Sequence, residues 1–76
     1  MRVYPNPAQS TIQLAFKDEE GMKGDVTVVD CVGRVVLRKV IEGGESLNIV
    51  DLAAGQYWIQ FTSNQGAVYS TKLMIQ

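Results

Sequence analysis

LAAGQYWIQFTS, residues 52–63, decides the fold. From Gln56 onward the side chains alternate, with Tyr57, Ile59 and Phe61 on one side and Trp58, Gln60 and Thr62 on the other. Two-residue alternation of this kind marks a strand with one buried face. The residues just upstream, Asp51 to Gly55, form a corner too short for an independent helix. Leu52-Ala53-Ala54-Gly55-Gln56-Tyr57 has the form of a tyrosine corner. In that device a Tyr at the start of a late strand returns its hydroxyl to upstream backbone while its ring fills the core. Gly55 suits the backbone that such a corner needs, where a side chain would obstruct.

Working outward, every neighbouring segment reads the same way. Asn64-Gln65-Gly66 is a hairpin turn into a last strand, Ala67 to Gln76. Upstream, Thr11 to Phe16 alternates with Ile12, Leu14 and Phe16 on one face, and Asp25 to Asp30 is rich in β-branched residues. Cys31-Val32-Gly33 has hairpin-loop length, and Arg34 to Ile41 returns as a strand. The glycine turn Glu42-Gly43-Gly44-Glu45 leads into a short strand, Ser46 to Val50. With the opening Arg2-Val3-Tyr4 piece these make seven short strands, and no stretch holds a helical period for three turns. The expected fold is an all-β, Ig-like, seven-stranded antiparallel sandwich with Greek-key connections.

The totals fit one small domain, residues 1–76, with 46% hydrophobic residues and mean hydropathy near zero. Seven bases against eight acids leave a net charge of −1, with no basic stripe for nucleic acid and no polybasic segment for anionic lipid. Met1 reads as a start residue on a fragment of a longer protein. Cys31 is alone, so no internal disulfide forms, and beside an apolar strand it is expected to be a small buried hydrophobe.

Chemistry is scarce. No histidine exists, which removes Ser-His-Asp and Cys-His nucleophilic sites and His metal sites. Asp18, Glu19, Glu20 and Asp25 lack the alternating oxygen spacing of a calcium loop and read as a solvated charge run. No cofactor is implied, and the chain reads as non-enzymatic. Trp58 falls on the face opposite Tyr57 and Phe61, half exposed, but one ring is not a sugar-stacking platform. Beyond Asp51 the only charged residue is Lys72, so Gln56 to Gln76 is a nearly uncharged β-ribbon. Either both its strands are internal, or the ribbon is met by another protein through strand addition. The opening Pro5-Asn6-Pro7 cannot join a central ladder and biases Tyr4 and Asn6 toward extended backbone. It is expected to bring the chain into the sandwich in a fixed direction, with Tyr4 as an anchor on the core, or simply to act as an edge-strand breaker.

Four pieces in order carry a resemblance: Tyr4-Pro5-Asn6-Pro7; Asp30-x-x-Gly33-Arg34 after a β-branched strand; Leu52-Ala53-Ala54-Gly55-Gln56-Tyr57; and a closing Lys72-Leu73-Met74-Ile75. The set closely resembles the C-terminal sorting domain of cargo proteins of the type IX secretion system, over essentially the whole chain. Cys31 departs from that family's usual turn residue, which is more often polar. The resemblance implies a non-catalytic module at the end of a larger protein, directing a covalently attached N-terminal cargo domain through the outer-membrane translocon of a Gram-negative bacterium. The route runs through the periplasm to the cell surface or the medium. A surface sortase usually removes the domain, cutting before Val3, although some members retain it. The resemblance also implies translocon and sortase recognition by Gly55, Tyr57, Lys72, Leu73, Met74 and Ile75, with Pro5, Asn6, Pro7, Asp30, Gly33 and Leu52 structural. The alternatives are a structural or adhesive sandwich, forming a homodimer through edge or swapped strands, and a carbohydrate-binding module.

Overall fold

The computed structural model describes residues 1–16, 23–42 and 45–76. The seven expected strands are present: β1 (Arg2–Tyr4), β2 (Thr11–Ala15), β3 (Lys23–Val29), β4 (Val35–Glu42), β5 (Ser46–Asn48), β6 (Gly55–Ser63) and β7 (Val68–Ile75). They form two antiparallel sheets ordered β1-β2-β5 and β4-β3-β6-β7, and the described residues contain no helix. The fourth strand lies beside the third rather than on the other sheet, so the layers hold three and four strands. The expected Asp18, Glu19 and Glu20 charge run and the Gly43-Gly44 turn lie outside the described residues.

Alternation builds the core. Val26 and Val28 of β3 and Tyr57, Ile59 and Phe61 of β6 point inward, meeting Ile12 and Leu14 of β2, Leu47 of β5 and Leu73 and Ile75 of β7. Each strand except β4 and the first half of β7 thus buries every second residue against the opposite sheet. Phe16, Phe61 and Tyr69 close one end, with ring centroids 4.8–6.3 Å apart. No buried side-chain nitrogen or oxygen among the described residues lacks a partner. The tyrosine corner is formed, with the Tyr57 hydroxyl donating to the Ala53 carbonyl at 2.6 Å.

Three readings of individual residues are corrected. Gly24 falls ahead of the strand expected from Asp25; it lies inside β3, buried, and faces Ser63 of β6. A Cβ there would collide with the Thr62 carbonyl oxygen and approach Ser63 Cα at 2.8 Å and Phe61 Cζ at 2.9 Å. The residue is needed because two backbones pass too closely for any side chain. Cys31 is exposed, because the hairpin turn lifts it off the sheet. Tyr4 is exposed too; the alternation of β1 turns Val3 into the core and lays Tyr4 outside, under the Arg2 guanidinium 5.1 Å from its ring centre.

The β3–β4 hairpin is tied by one side chain. Asp30 Oδ1 accepts the Val32 and Arg34 amides at 3.0 and 2.9 Å, and Oδ2 accepts Arg34 Nε at 3.0 Å. Gly33 completes the turn with φ 88°, a conformation disfavoured for residues with a Cβ. Immediately after the turn Val36 is an extra residue against β3, since Val28 faces Leu37 and Val29 faces Val35.

Two expected outcomes follow from this geometry. Gly24→Ala forces backbone apart at the β3–β6 contact and should cost about 1–3 kcal/mol; thermal unfolding followed by circular dichroism checks it. Hydrogen bonding from the Arg34 amide, helped by its guanidinium and the Val32 amide, lowers the Asp30 carboxyl pKa against the opposing effect of desolvation. A depressed folded-state value gives stability that is complete above the unfolded value of about 3.9 and lost as pH falls through the folded one. The melting-temperature gap between wild type and Asp30→Asn should therefore be open at neutral pH and close in acid.

Candidate recognition surface

The residues singled out in the last strand divide by parity. Leu73 and Ile75 are buried with Tyr57, while Lys72 and Met74 turn to the outer face of the four-stranded sheet. Register sets Lys72 opposite Trp58 and Met74 opposite Gln56. Trp58 is 48% exposed, and the Lys72 ammonium lies 5.9 Å from its ring centre. That placement favours a cation–π contact, worth about 0.5–1 kcal/mol at an exposed site. A shallow depression of about 230 Å³ runs beside the pair, lined by Cys31, Gln56, Tyr57, Trp58 and Lys72. No aromatic ring pair among the described residues includes Trp58, and the Tyr57 ring beside it in the chain is turned to the core.

Gly55 begins β6 with φ 152°, and a Cβ there would meet no neighbour, so backbone conformation rather than space selects glycine. Leu52 is half-buried against the core and its amide donates to Ile49 O at 3.0 Å, which holds the corner that aims Tyr57. Asp30 and Gly33 form their turn at the end of β3 that adjoins the row Val29–Trp58–Lys72, and Cys31 of that turn lines the same depression as Lys72.

The two strands of the ribbon differ. β6 is internal, whereas β7 stands at the sheet edge. Half of that edge is closed by the opening segment, in which both X–Pro bonds are cis. Ala8 forms a parallel bridge with Ile75, its amide donating to Met74 O at 2.8 Å and its carbonyl accepting Gln76 N at 2.8 Å. One step back, the Asn6 side chain substitutes for a peptide unit: Nδ2 donates to Lys72 O at 3.1 Å and Oδ1 accepts Met74 N at 3.0 Å. Pro5 and Pro7 have no amide hydrogen to offer, so a carboxamide between them supplies the missing pairing. The pattern Pro-Asn-Pro signalled an edge device; its partner, sixty-six residues away, was not signalled. Backbone groups alternate sides along a strand. Since Met74 directs its amide and carbonyl to the cap, Val68 and Ser70 direct theirs the same way, beyond its reach.

Among the described residues no three of His, Cys, Asp and Glu gather as metal ligands would. The sequence model of the secretion system C-terminal sorting domain matches residues 2–76. Comparison with curated proteins gave no match, and comparison with solved structures gave none. With nearly every residue matched and the expected sandwich in place, the chain belongs to the C-terminal sorting domain family of type IX secretion.

Proposed function

We propose that this domain is a non-catalytic export signal whose readable part is the outer face of β6 and β7. Membership of the sorting-domain family makes it a type IX signal, with export to the cell surface or medium as its destination. The observation that supports the outer face is the parity of the last strand. Within the folded sandwich, Leu73 and Ile75 are occupied by the core, and Lys72 and Met74 present themselves beside Trp58 and Gln56. Translocon contact would be made through these two residues, while Gly55, Tyr57, Leu73 and Ile75 act by fixing the strand that carries them. Transit through the periplasm attached to an N-terminal cargo domain, then sortase cleavage ahead of Val3 and surface attachment, complete the proposed route.

A second reading has the domain retained as a structural or adhesive module, self-associating through the β7 edge. The uncovered Val68–Ser70 section supports it, with Val68 exposed and Lys72 the only charged residue of β7. A carbohydrate-binding role is disfavoured by the isolation of Trp58 from other rings.

Export of a cargo carrying this domain separates the readings. Removing residues 72–76 should abolish surface delivery, but it also removes Leu73 and Ile75 from the core. The decisive variant is Lys72→Glu with Met74→Gln, which leaves the core intact. Folded cargo should accumulate in the periplasm, with surface yield down roughly tenfold, equivalent to about 1.4 kcal/mol of lost binding. Normal yield from the double variant overturns the assignment to the outer face. Export after the deletion overturns the role of the last strand altogether, and a mature surface protein whose intact mass still includes this domain favours the second reading.

A further inference from the structure

We infer that the free edge of β4 is a second docking site, one that takes an extended acidic segment by strand addition. The inference is independent of how β7 is read. Other edges among the described residues are short or partly covered: β1 and β5 have three residues each, and the second half of β7 lies under Asn6 and Ala8, leaving only Val68 to Ser70 open. β4 has eight residues and a neighbour on one side only. It also overhangs, because the facing sheet has one strand fewer; only Ile41 is buried and only Leu37 half-buried along its length.

Which backbone groups are open follows from register. Asn64 N donates to Lys23 O at 2.8 Å, so Lys23, and by alternation Asp25, Thr27 and Val29, direct their groups toward β6. Gly24, Val26 and Val28 then pair with Ile41, Lys39 and Leu37 of β4. Arg38, Val40 and Glu42 are left facing outward. Glu42 is already closed, its amide donating to Glu45 Oε1 at 3.1 Å and its carbonyl accepting Glu45 N at 3.0 Å. At the other end the extra residue Val36 breaks the ladder. Arg38 and Val40 remain, with two amides and two carbonyls between them.

The side chains specify the occupant. Val35 and Val40 are 59% and 57% exposed, which gives the strand apolar contact area. Arg34, Arg38 and Lys39 place three of the chain's seven bases within six residues, with no acid among positions 34–41. Arg38 and Lys39 make no ion pair among the described residues. A second copy of β4 does not fit. Antiparallel self-pairing centred on Arg38 sets Arg38 against its own copy, and centring on Lys39 opposes two lysines; like charges directly opposite destabilise a sheet. Centring on Val40 needs Glu42, whose backbone is taken by Glu45. A strand alternating apolar and acidic residues meets the same edge with its carboxylates on the outer face, where Arg38 lies in the row of Thr27, and its apolar side chains on the inner face along the Lys39 stem, the main chain giving affinity and the carboxylates register.

The test is amide hydrogen exchange by NMR on the chain with a probe peptide of alternating valine and glutamate. The peptide is N-methylated at every second residue, so that it pairs along one edge and does not assemble with itself. Exchange at Arg38 and Val40 should slow by at least about tenfold on saturation, an effect of local pairing, and binding should weaken with added salt. The lysine version of the peptide should protect neither amide, and Arg38→Glu with Lys39→Glu should remove the effect of the glutamate peptide. Equal protection by both peptides, protection at Val68 and Ser70 instead, or protection that rises with protein concentration without peptide would each overturn the proposal. None of these readouts involves export, so failure here leaves the reading of β7 untouched.

Discussion

Everything in this molecule depends on the pairing of β3 with β6 at the centre of the larger sheet. Six consecutive residue pairs, Gly24–Ser63 to Val29–Trp58, hold the two strands in register. That register puts Val26, Val28, Ile59 and Phe61 on one apolar layer. A slip of one residue would turn that layer to solvent and bring Thr27, Gln60 and Thr62 inside. A domain of this length leaves a large share of its surface exposed even when folded, so it has little surplus burial with which to tolerate such a slip. Gly24 fixes the near end of the register by close backbone approach, and the Asp30 turn fixes where the partner strand β4 returns.

Local chemistry made most of this legible in the sequence. Alternation, β-branched composition and turn signals located every strand, and the hairpin turns expected at Gly33 and Gly66 are formed, each glycine with a positive φ. The tyrosine corner was readable because Leu52 to Tyr57 carries its whole mechanism within six residues. What escaped was long-range. Gly24 looks like a loop residue until the strand opposite it is known. Cys31 sits next to apolar residues in sequence but at the tip of a turn in space. Tyr4 and Val3 differ by one position, and only the parity of β1 against β2 decides which goes inside.

Parity is also what gives the closing Lys72-Leu73-Met74-Ile75 two duties in four residues. Its odd members anchor the strand and its even members face outward, so the strand cannot hold its place in the core without presenting the others. Lys72 is further restrained at both ends. Its ammonium lies over the indole of Trp58, and its carbonyl accepts from Asn6. The opening and closing segments of the chain are in this way tied together at the surface, and β7 is half shielded from foreign strands. β4, on the far side of the sheet, relies on positive charge instead of a cap, a protection that excludes its own copies and selects for acidic visitors.

The carboxamide of Asn6 has a chemical liability that its neighbour removes. Asparagine ages by attack of the next residue's main-chain nitrogen on the side-chain carbonyl, closing a succinimide that opens to aspartate or isoaspartate. Position 7 is proline, whose nitrogen carries no hydrogen, so this ring closure is blocked. Conversion to aspartate would replace the donor to Lys72 O with an acceptor and set oxygen against oxygen at the strand edge. The residue after Asn6 thus preserves a joint whose decay would otherwise unfasten the last strand over time.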